Sequence, residues 1–315
     1  MSMTTNPLHA VTGALGYTGK SLTEQLLANK IKVRTLTNSQ SRHNPFGDNL
    51  EIHPLAFDDP AQLTESLRGV QVLYNTYWVR FNHKRFTFDQ AVENTKRLFA
   101  AAKDAGVEKI VHVSILHADE ADDLGYYKGK HQLEDELKAL DLPFAILRPG
   151  VLFGRGDILV NNIAWTLRHL PFFGTFGSGS YKLRPFHVDD MATLMLDAAS
   201  ESESKTIDAV GPESYSYKEL IQCIGSTVGV SKPIIPVPPT FGYLVSKLVN
   251  LAVNDVVITR QEINGLMRGL LDSDAPTVGH TKLSEHITEH KQSLGHRYAN
   301  EIKRRTDRLS PYDQI

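Results

Sequence analysis

The 315-residue chain contains one cysteine, Cys223. A lone thiol excludes an intrachain disulfide and any zinc or iron–sulfur centre built on cysteines. It stands in Leu220-Ile221-Gln222-Cys223-Ile224, an apolar helical pattern that suits a structural thiol better than a nucleophile. A basic surplus is missing too: 34 Lys and Arg stand against 36 Asp and Glu, a formal net charge of -2. Nucleic-acid affinity rests on such a surplus, so no nucleic-acid partner is expected. No apolar run is long enough to span a bilayer; the longest, residues 241–253, is interrupted by Ser246, Lys247 and Asn250. Residues 1–7 are polar and pass directly into a strand pattern, without the basic-then-apolar order of a secretory signal. A cytoplasmic protein without a membrane span is therefore expected.

What is present is an ordinary globular mixture, 41% hydrophobic and 22% charged, which excludes disorder and fibrous repeats. The first half alternates short β-branched runs with helical patterns. Strands are expected at residues 8–11, 32–36, 50–55, 71–74, 109–114 and 144–147, and helices at 17–29, 62–67, 85–105 and 130–140. Such alternation builds a parallel sheet with helices on both faces. After Pro149, Gly and Pro become frequent and strands sparse, and from Tyr217 the pattern is mainly helical. The expectation is a doubly wound α/β domain over residues 1–150 and a smaller, mainly helical substrate lobe over 151–315, interleaved with the sheet. An apolar stripe of Phe241, Leu244, Val245, Leu248, Leu251 and Ala252 is expected to pack inside that lobe, with a dimer seam or a membrane-surface contact as the weaker alternatives.

The first strand runs into Thr12-Gly13-Ala14-Leu15-Gly16-Tyr17-Thr18-Gly19-Lys20. The G-x-x-G-x-x-G spacing at a strand–helix junction has a physical basis. Gly13 permits the turn, Gly16 lets backbone approach a pyrophosphate, and Gly19 allows close helix–sheet packing. Together with Leu15, Tyr17 and Thr18 they present a diphosphate to the positive end of a helix. At the first βα junction of such a series this pattern marks a Rossmann-type dinucleotide site. A tight turn without ligand is the weaker reading. The cofactor is read from the second strand, where an acid would grip the ribose of NAD. Residues 32–42 hold no acid. Asn38, Ser39 and Arg42, with Arg34 as a further candidate, suit a 2′-phosphate, so NADP(H) is favoured over NAD(H).

Tyr126 and Lys130 stand four residues apart at the start of a helical pattern, hence on one face. A phenol titrates near ~10, and a nearby ammonium stabilises its anion, giving an acid–base group for a carbonyl or alcohol. Asn75-Thr76-Tyr77-Trp78 ends the fourth strand, where Tyr77 and Trp78 either wall a pocket or pack in the core. His286-Ile287-Thr288-Glu289-His290 spells H-x-x-E-H, but a solvated helix fits it better than a metal site, and no metal is expected. Lys303-Arg304-Arg305 and Arg308 read as a solvated basic run.

These motifs resemble the short-chain dehydrogenase/reductase superfamily in its extended or atypical branch, and within it the group of the nucleotide-binding accessory subunit of respiratory complex I. The likeness is carried by Gly13, Gly16 and Gly19, by residues 107–114, by Tyr126 and Lys130, by 147–157, by 185–192 and by 258–260. The resemblance implies an NAD(P) fold with a C-terminal substrate lobe. It further implies that Phe57, Asn75, Thr76 and Tyr77 line the cofactor, that Lys130 bonds the nicotinamide ribose, and that backbone at Pro149, Gly150 and Val151 meets the nicotinamide amide. Tyr126, Lys130 and Ser114 become the catalytic candidates.

Departures from the family pattern stand beside the matches. Ile115 takes the place of the Ser or Thr that polarises the substrate, the segment between Ser114 and Tyr126 is short, and Ala56 and Ala91 replace the expected Asp and Asn. Two readings follow. In one, the chain is an NAD(P)-dependent oxidoreductase or epimerase/dehydratase acting on an unknown small molecule as a monomer or homodimer. In the other it is a non-catalytic NAD(P)H-binding module, structural or redox-sensing. Ile115 favours the second; the intact Tyr126/Lys130 pair favours the first, which is preferred.

Overall fold

The structure, a computed structural model, describes residues 6–312. The absence of a secretory signal was read mostly from residues 1–5, which lie outside the described residues. The chain forms β1 (Leu8–Thr12), α1 (Tyr17–Ala28), β2 (Lys32–Thr37), β3 (Leu50–Pro54), α2 (Pro60–Leu67), β4 (Val72–Asn75), α3 (Phe88–Ala105), β5 (Lys109–Val113), α4 (Gly125–Lys138) and β6 (Phe144–Pro149). It continues through β7 (Val151–Phe153), α5 (Leu159–His169), β8 (Phe173–Phe176), β9 (Lys182–Leu183), β10 (Pro185–His187), α6 (Val188–Ser200) and β11 (Lys205–Ala209). The last elements are β12 (Tyr215–Ser216), α7 (Tyr217–Thr227), β13 (Ile234–Val237), α8 (Pro239–Val253), α9 (Arg260–Met267), α10 (Leu283–His290) and α11 (Glu301–Thr306). The described residues form two compact units, one of 6–148, Met191–Ile207 and Arg308–Pro311, the other of Pro149–Asp190, Asp208–Asp307 and Tyr312.

The first unit is a doubly wound α/β fold. Its seven-stranded sheet has the order β11-β6-β5-β4-β1-β2-β3, and the pairs from β3 through β6 are parallel. Beta-branched and apolar runs make these strands because both faces are covered by helices. The order reverses between β2 and β4 around β1, which puts the crevice for a ligand beyond the carboxyl ends of those strands. Local signals stop the helices where expected. Asp59 caps α2 by accepting from Gln62 N, and Thr87 caps α3 by accepting from Gln90 N. Gly106, at φ 78°, ends α3 in the left-handed conformation that glycine adopts without strain. Leu36, Leu63, Leu73, Leu98, Phe99 and Ile110 are fully buried in the core, each worth roughly 1.5–3 kcal/mol of transfer free energy.

The second unit is mainly helical, with short strand pairs that the sequence pattern does not reveal. β7 runs parallel to β10, β8 parallel to β13, and β9 antiparallel to β12. Strands of two to four residues are too short for alternation to emerge. Capping boxes at Ser216/Glu219 and Thr259/Glu262 start α7 and α9. Its core gathers Phe153, Leu167, Leu183, Leu220 and Ile263.

One expectation is overturned here. The α8 stripe does not pack inside: Phe241 is 58% exposed, Leu244 57%, Val245 39%, Leu248 69% and Leu251 82%. The inward positions are small. A Cβ on Gly242 would stand 2.8 Å from Phe176 and 3.1 Å from Val237, and Ser246 is buried. The helix thus presses its narrow face to β8 and β13 and turns its bulky face outward.

Candidate functional site

The first site feature is the turn from β1 to α1. Gly13 adopts φ 71°, its N–H donates to Leu36 O at 3.1 Å, and its carbonyl accepts from Gly16 N at 2.8 Å. Ala14 N donates to Thr35 Oγ1 at 3.1 Å, and that hydroxyl donates to Val11 O at 2.9 Å. The turn is therefore pinned to β2 on both sides. A Cβ on Gly19 would lie 2.2 Å from Gly13 O, so only glycine lets α1 approach this closely. No side chain caps α1 at Gly16, and its first turn holds no acidic residue. Leu15 is buried while Tyr17 and Thr18 are half-buried. Such a turn is a cradle in which backbone rather than side chains could meet an anion.

Beyond β2, Ser39 N donates to Thr37 Oγ1 at 3.0 Å and Arg42 N donates to Ser39 O at 3.0 Å, closing a compact loop. Asn38 is exposed, Ser39 half-buried and Arg42 buried. The C-terminal segment returns to this loop: Arg308 donates to Asn38 O at 3.0 Å, and His43 N donates to Leu309 O at 3.1 Å. Arg34 is not part of it. Its guanidinium donates to Glu51 Oε2 at 2.9 Å and to the carbonyls of Ser66 and Arg68, both at 3.1 Å. Mid-strand, it serves the β2–β3 edge, and these bonds commit its guanidinium away from a phosphate.

The end of β4 is bound to β1 by one hydroxyl. Thr12 Oγ1 donates to Asn75 Oδ1 at 3.1 Å and accepts from Thr76 N at 2.8 Å and Tyr77 N at 3.1 Å. Asn75 Nδ2 donates to His112 Nδ1 at 3.0 Å, which assigns the ring hydrogen to Nε2. Burial, with help from the Lys130 charge, holds His112 well below its usual pKa, so the ring is neutral. Tyr77 packs against Phe57 in a tilted arrangement with ring centroids 5.0 Å apart, and its hydroxyl accepts from Asn94 Nδ2 at 3.0 Å. Phe57, Asn75, Thr76 and Tyr77 are thus one connected wall.

On α4, Tyr126 is half-buried and packs edge-on against Trp78 and Phe88, with centroids 5.7 and 5.9 Å away. Lys130, one turn on, is buried; its Nζ donates to Val113 O at 2.6 Å and lies 4.5 Å from the Trp78 ring centre. Burial pulls its pKa down to about 7, against the opposing pull of Glu134. Trp78 fits between these groups because residue 129 is glycine: a Cβ there would stand 2.7 Å from the indole. Ser114 donates its hydroxyl hydrogen to Glu134 Oε1 at 2.6 Å, and Arg148 grips both oxygens of that carboxylate. Ile115 is buried beside Ser114.

Sequence reasoning missed Thr12, His112 and Glu134 as site-shaping groups. The signal for Glu134 was available, since Tyr126, Lys130 and Glu134 repeat at one helical turn. Pro149, Gly150 and Val151 begin the second unit, where Val151 pairs with Pro185. The H-x-x-E-H segment is structural: His286 is buried, stacks on His290 at 4.2 Å and touches Phe153 at 5.5 Å. Among the described residues no group of three or more His, Cys, Asp or Glu is placed to hold a metal. In the basic run, Arg304 is buried and donates to Gly156 O at 2.8 Å.

Comparison with known proteins matches this geometry. An NAD(P)H-binding family model matches residues 13–163. The chain is 24% identical over 257 residues to the alpha subcomplex subunit 9 of mitochondrial NADH dehydrogenase from Dictyostelium discoideum, covering 78% of this chain and 71% of that protein. Across the first four complex I relatives, the matches span between 58% and 71% of the relatives' length. Among solved structures, triphenylmethane reductase of Citrobacter sp. with NADP(H) superposes with a TM-score of 0.74 at 19% identity, over 90% of this chain and 99% of that one. NADPH-dependent quinone oxidoreductase of Escherichia coli with NADPH gives 0.72 at 22% identity, again over 90% and 99%. The chain is thus similar to NAD(P)H-binding proteins over residues 13–163, which include the glycine turn, and it shares the fold of these reductases.

Proposed function

We propose that the protein is an NADPH-dependent oxidoreductase in which Tyr126 is the acid–base group. The observation carrying this reading is the half-buried Tyr126 phenol one helical turn from a buried lysine brought down to about 7. The backbone at Gly13–Gly19 holds the diphosphate, while Ser39 and Arg42, with Asn38, receive a 2′-phosphate. Phe57, Asn75, Thr76 and Tyr77 line the cofactor, and residues 151–315 supply the substrate lobe. Bound NADPH supplies a hydride. Tyr126 Oη gives the proton that the acceptor oxygen needs, and Lys130 Nζ stabilises the phenolate left behind. Trp78 and Phe88 flank the phenol and exclude water. Ser114 acts by positioning, since its proton is committed to Glu134. NADPH bound to the quinone oxidoreductase and NADP(H) bound to the triphenylmethane reductase support the cofactor, and the compounds those two enzymes reduce point to flat, conjugated acceptors.

A second reading has its own observation. Lys130 Nζ is held by Val113 O and Ser114 by Glu134, an arrangement that also suits a module that binds NADPH without turnover. The test is NADPH oxidation against a panel of quinones, triarylmethane dyes and aldehydes, with NADPH and NADH affinities measured alongside. Turnover that Tyr126→Phe abolishes while NADPH affinity is retained supports the first reading. Turnover unchanged in that variant sinks the role of Tyr126. Tight binding with no turnover on any acceptor transfers the case to the second.

A further inference from the structure

We propose that α8 is a docking helix for the surface of an anionic lipid bilayer. The helix carries no acidic residue, and its bulky apolar side chains form one outward stripe at positions 241, 244, 245, 248 and 251. Among the described residues nothing covers that stripe; the second unit takes the face of Gly242, Tyr243 and Ser246. At about 22 Å the helix is too short to cross a hydrocarbon core of ~30 Å, so it lies on a membrane rather than through it. No helix among the described residues is long and apolar enough to span one.

Charge selects the occupant. Between residues 231 and 268 the exposed charged side chains are Lys247, Arg260 and Arg268, and none is acidic. The two acids in that stretch are engaged by backbone N–H groups. Asp255 is buried and accepts from Glu301 N at 2.8 Å and Ile302 N at 3.0 Å, and Glu262 closes the capping box of α9. Lys247 and Arg260 both lie over the Tyr243 ring, at 5.1 and 4.8 Å from its centre, at the border of the stripe. An apolar face bordered by a tyrosine and cations matches the acyl–headgroup boundary, where aromatic rings sit and anionic lipids attract basic side chains. A second copy fits less well. A twofold contact through the same face sets the cationic border of one copy against that of the other, and like charges there oppose association.

The experiment is flotation of the full chain with vesicles of phosphatidylcholine and phosphatidylglycerol at 7:3, beside vesicles of phosphatidylcholine alone. The expected result is binding to the mixed vesicles, weakened in 0.5 M salt, at least tenfold weaker for Leu248→Asp/Leu251→Asp, and several-fold weaker for Lys247→Glu/Arg260→Glu. Because an aspartate pair can impair folding, Leu248→Trp provides an independent reading: its emission should shift to the blue on mixed vesicles. Equal flotation of wild type and the aspartate variant, no flotation of wild type, or an unshifted tryptophan overturns the proposal. A wild-type dimer that the aspartate variant converts to monomer also overturns it, and gives the face to a second copy.

Discussion

Arg148 holds the buried carboxylate of Glu134 by both oxygens, Nε to Oε1 at 2.8 Å and an Nη to Oε2 at 2.5 Å. The same carboxylate takes the Ser114 hydroxyl hydrogen, so one ion pair ties α4 to the ends of β5 and β6. Removing one partner of a buried pair leaves the other desolvated and unmatched. Glu134→Ala is expected to cost about 3–5 kcal/mol in urea unfolding, because Asp119, at 3.3 Å from Arg148, is too exposed to replace it. A loss below about 1 kcal/mol would show that the pair is not what holds α4.

Lys130 gives the protein a pH signature. Burial brings its pKa to about 7 in the folded state, while the unfolded chain titrates near ~10.4. Between those values the unfolded state binds a proton that the folded state does not, so stability rises with pH from about 7 towards about 10. Below that window both states are protonated and the desolvation penalty is felt in full. Without cofactor, wild type should therefore gain in urea midpoint between pH 6.5 and 9. Lys130→Met, which fills the same space uncharged, should lose that gain; parallel curves would refute the assignment.

Two glycine substitutions separate the cradle from an ordinary turn. Gly19→Ala places a methyl group against the Gly13 carbonyl and should reduce NADPH affinity at least tenfold while destabilising by about 1–3 kcal/mol. Gly69→Ala has open space but φ +75°, so about 1 kcal/mol of backbone strain is expected with cofactor affinity unchanged. Similar losses of affinity in both variants would mean the cradle has no special role.

Gly129→Ala probes the aromatic wall. Its methyl would meet Trp78 at 2.7 Å and Val92 at 3.2 Å, so the indole must leave its place under Lys130. A destabilisation of about 1–3 kcal/mol and altered tryptophan emission are expected. An emission spectrum identical to wild type would mean that Trp78 does not rest there.

What the sequence made legible was local. The turn through Gly13, Gly16 and Gly19, the end of α3 at Gly106 and the shared face of Tyr126 and Lys130 each follow from constraints within a few residues. The Glu134–Arg148 pair was hidden because its partners come from a helix and a strand whose meeting is tertiary. Thr12 was hidden because its hydroxyl works across β1 and β4. Arg34 looked like a phosphate ligand in a basic stretch, yet its mid-strand position commits it to Glu51. The stripe on α8 shows the limit of periodicity, which reveals that apolar residues share a face but not which side that face takes. Gly242 and Ser246, small enough for close helix–strand packing, were the better clue.

The first unit is discontinuous along the chain, and this orders its synthesis. Its sheet waits for β11, and the loop after β2 waits for Arg308 and Leu309, which bond to Asn38 and His43. A nascent chain emerging from the ribosome can fold β1 to β6 early, since those strands are sequential. It cannot make the bonds from Arg308 and Leu309 to the loop after β2 until residues far downstream of β6 have been made. On the proposed assignment of this loop to the 2′-phosphate, dinucleotide selectivity matures later than the strands that carry it.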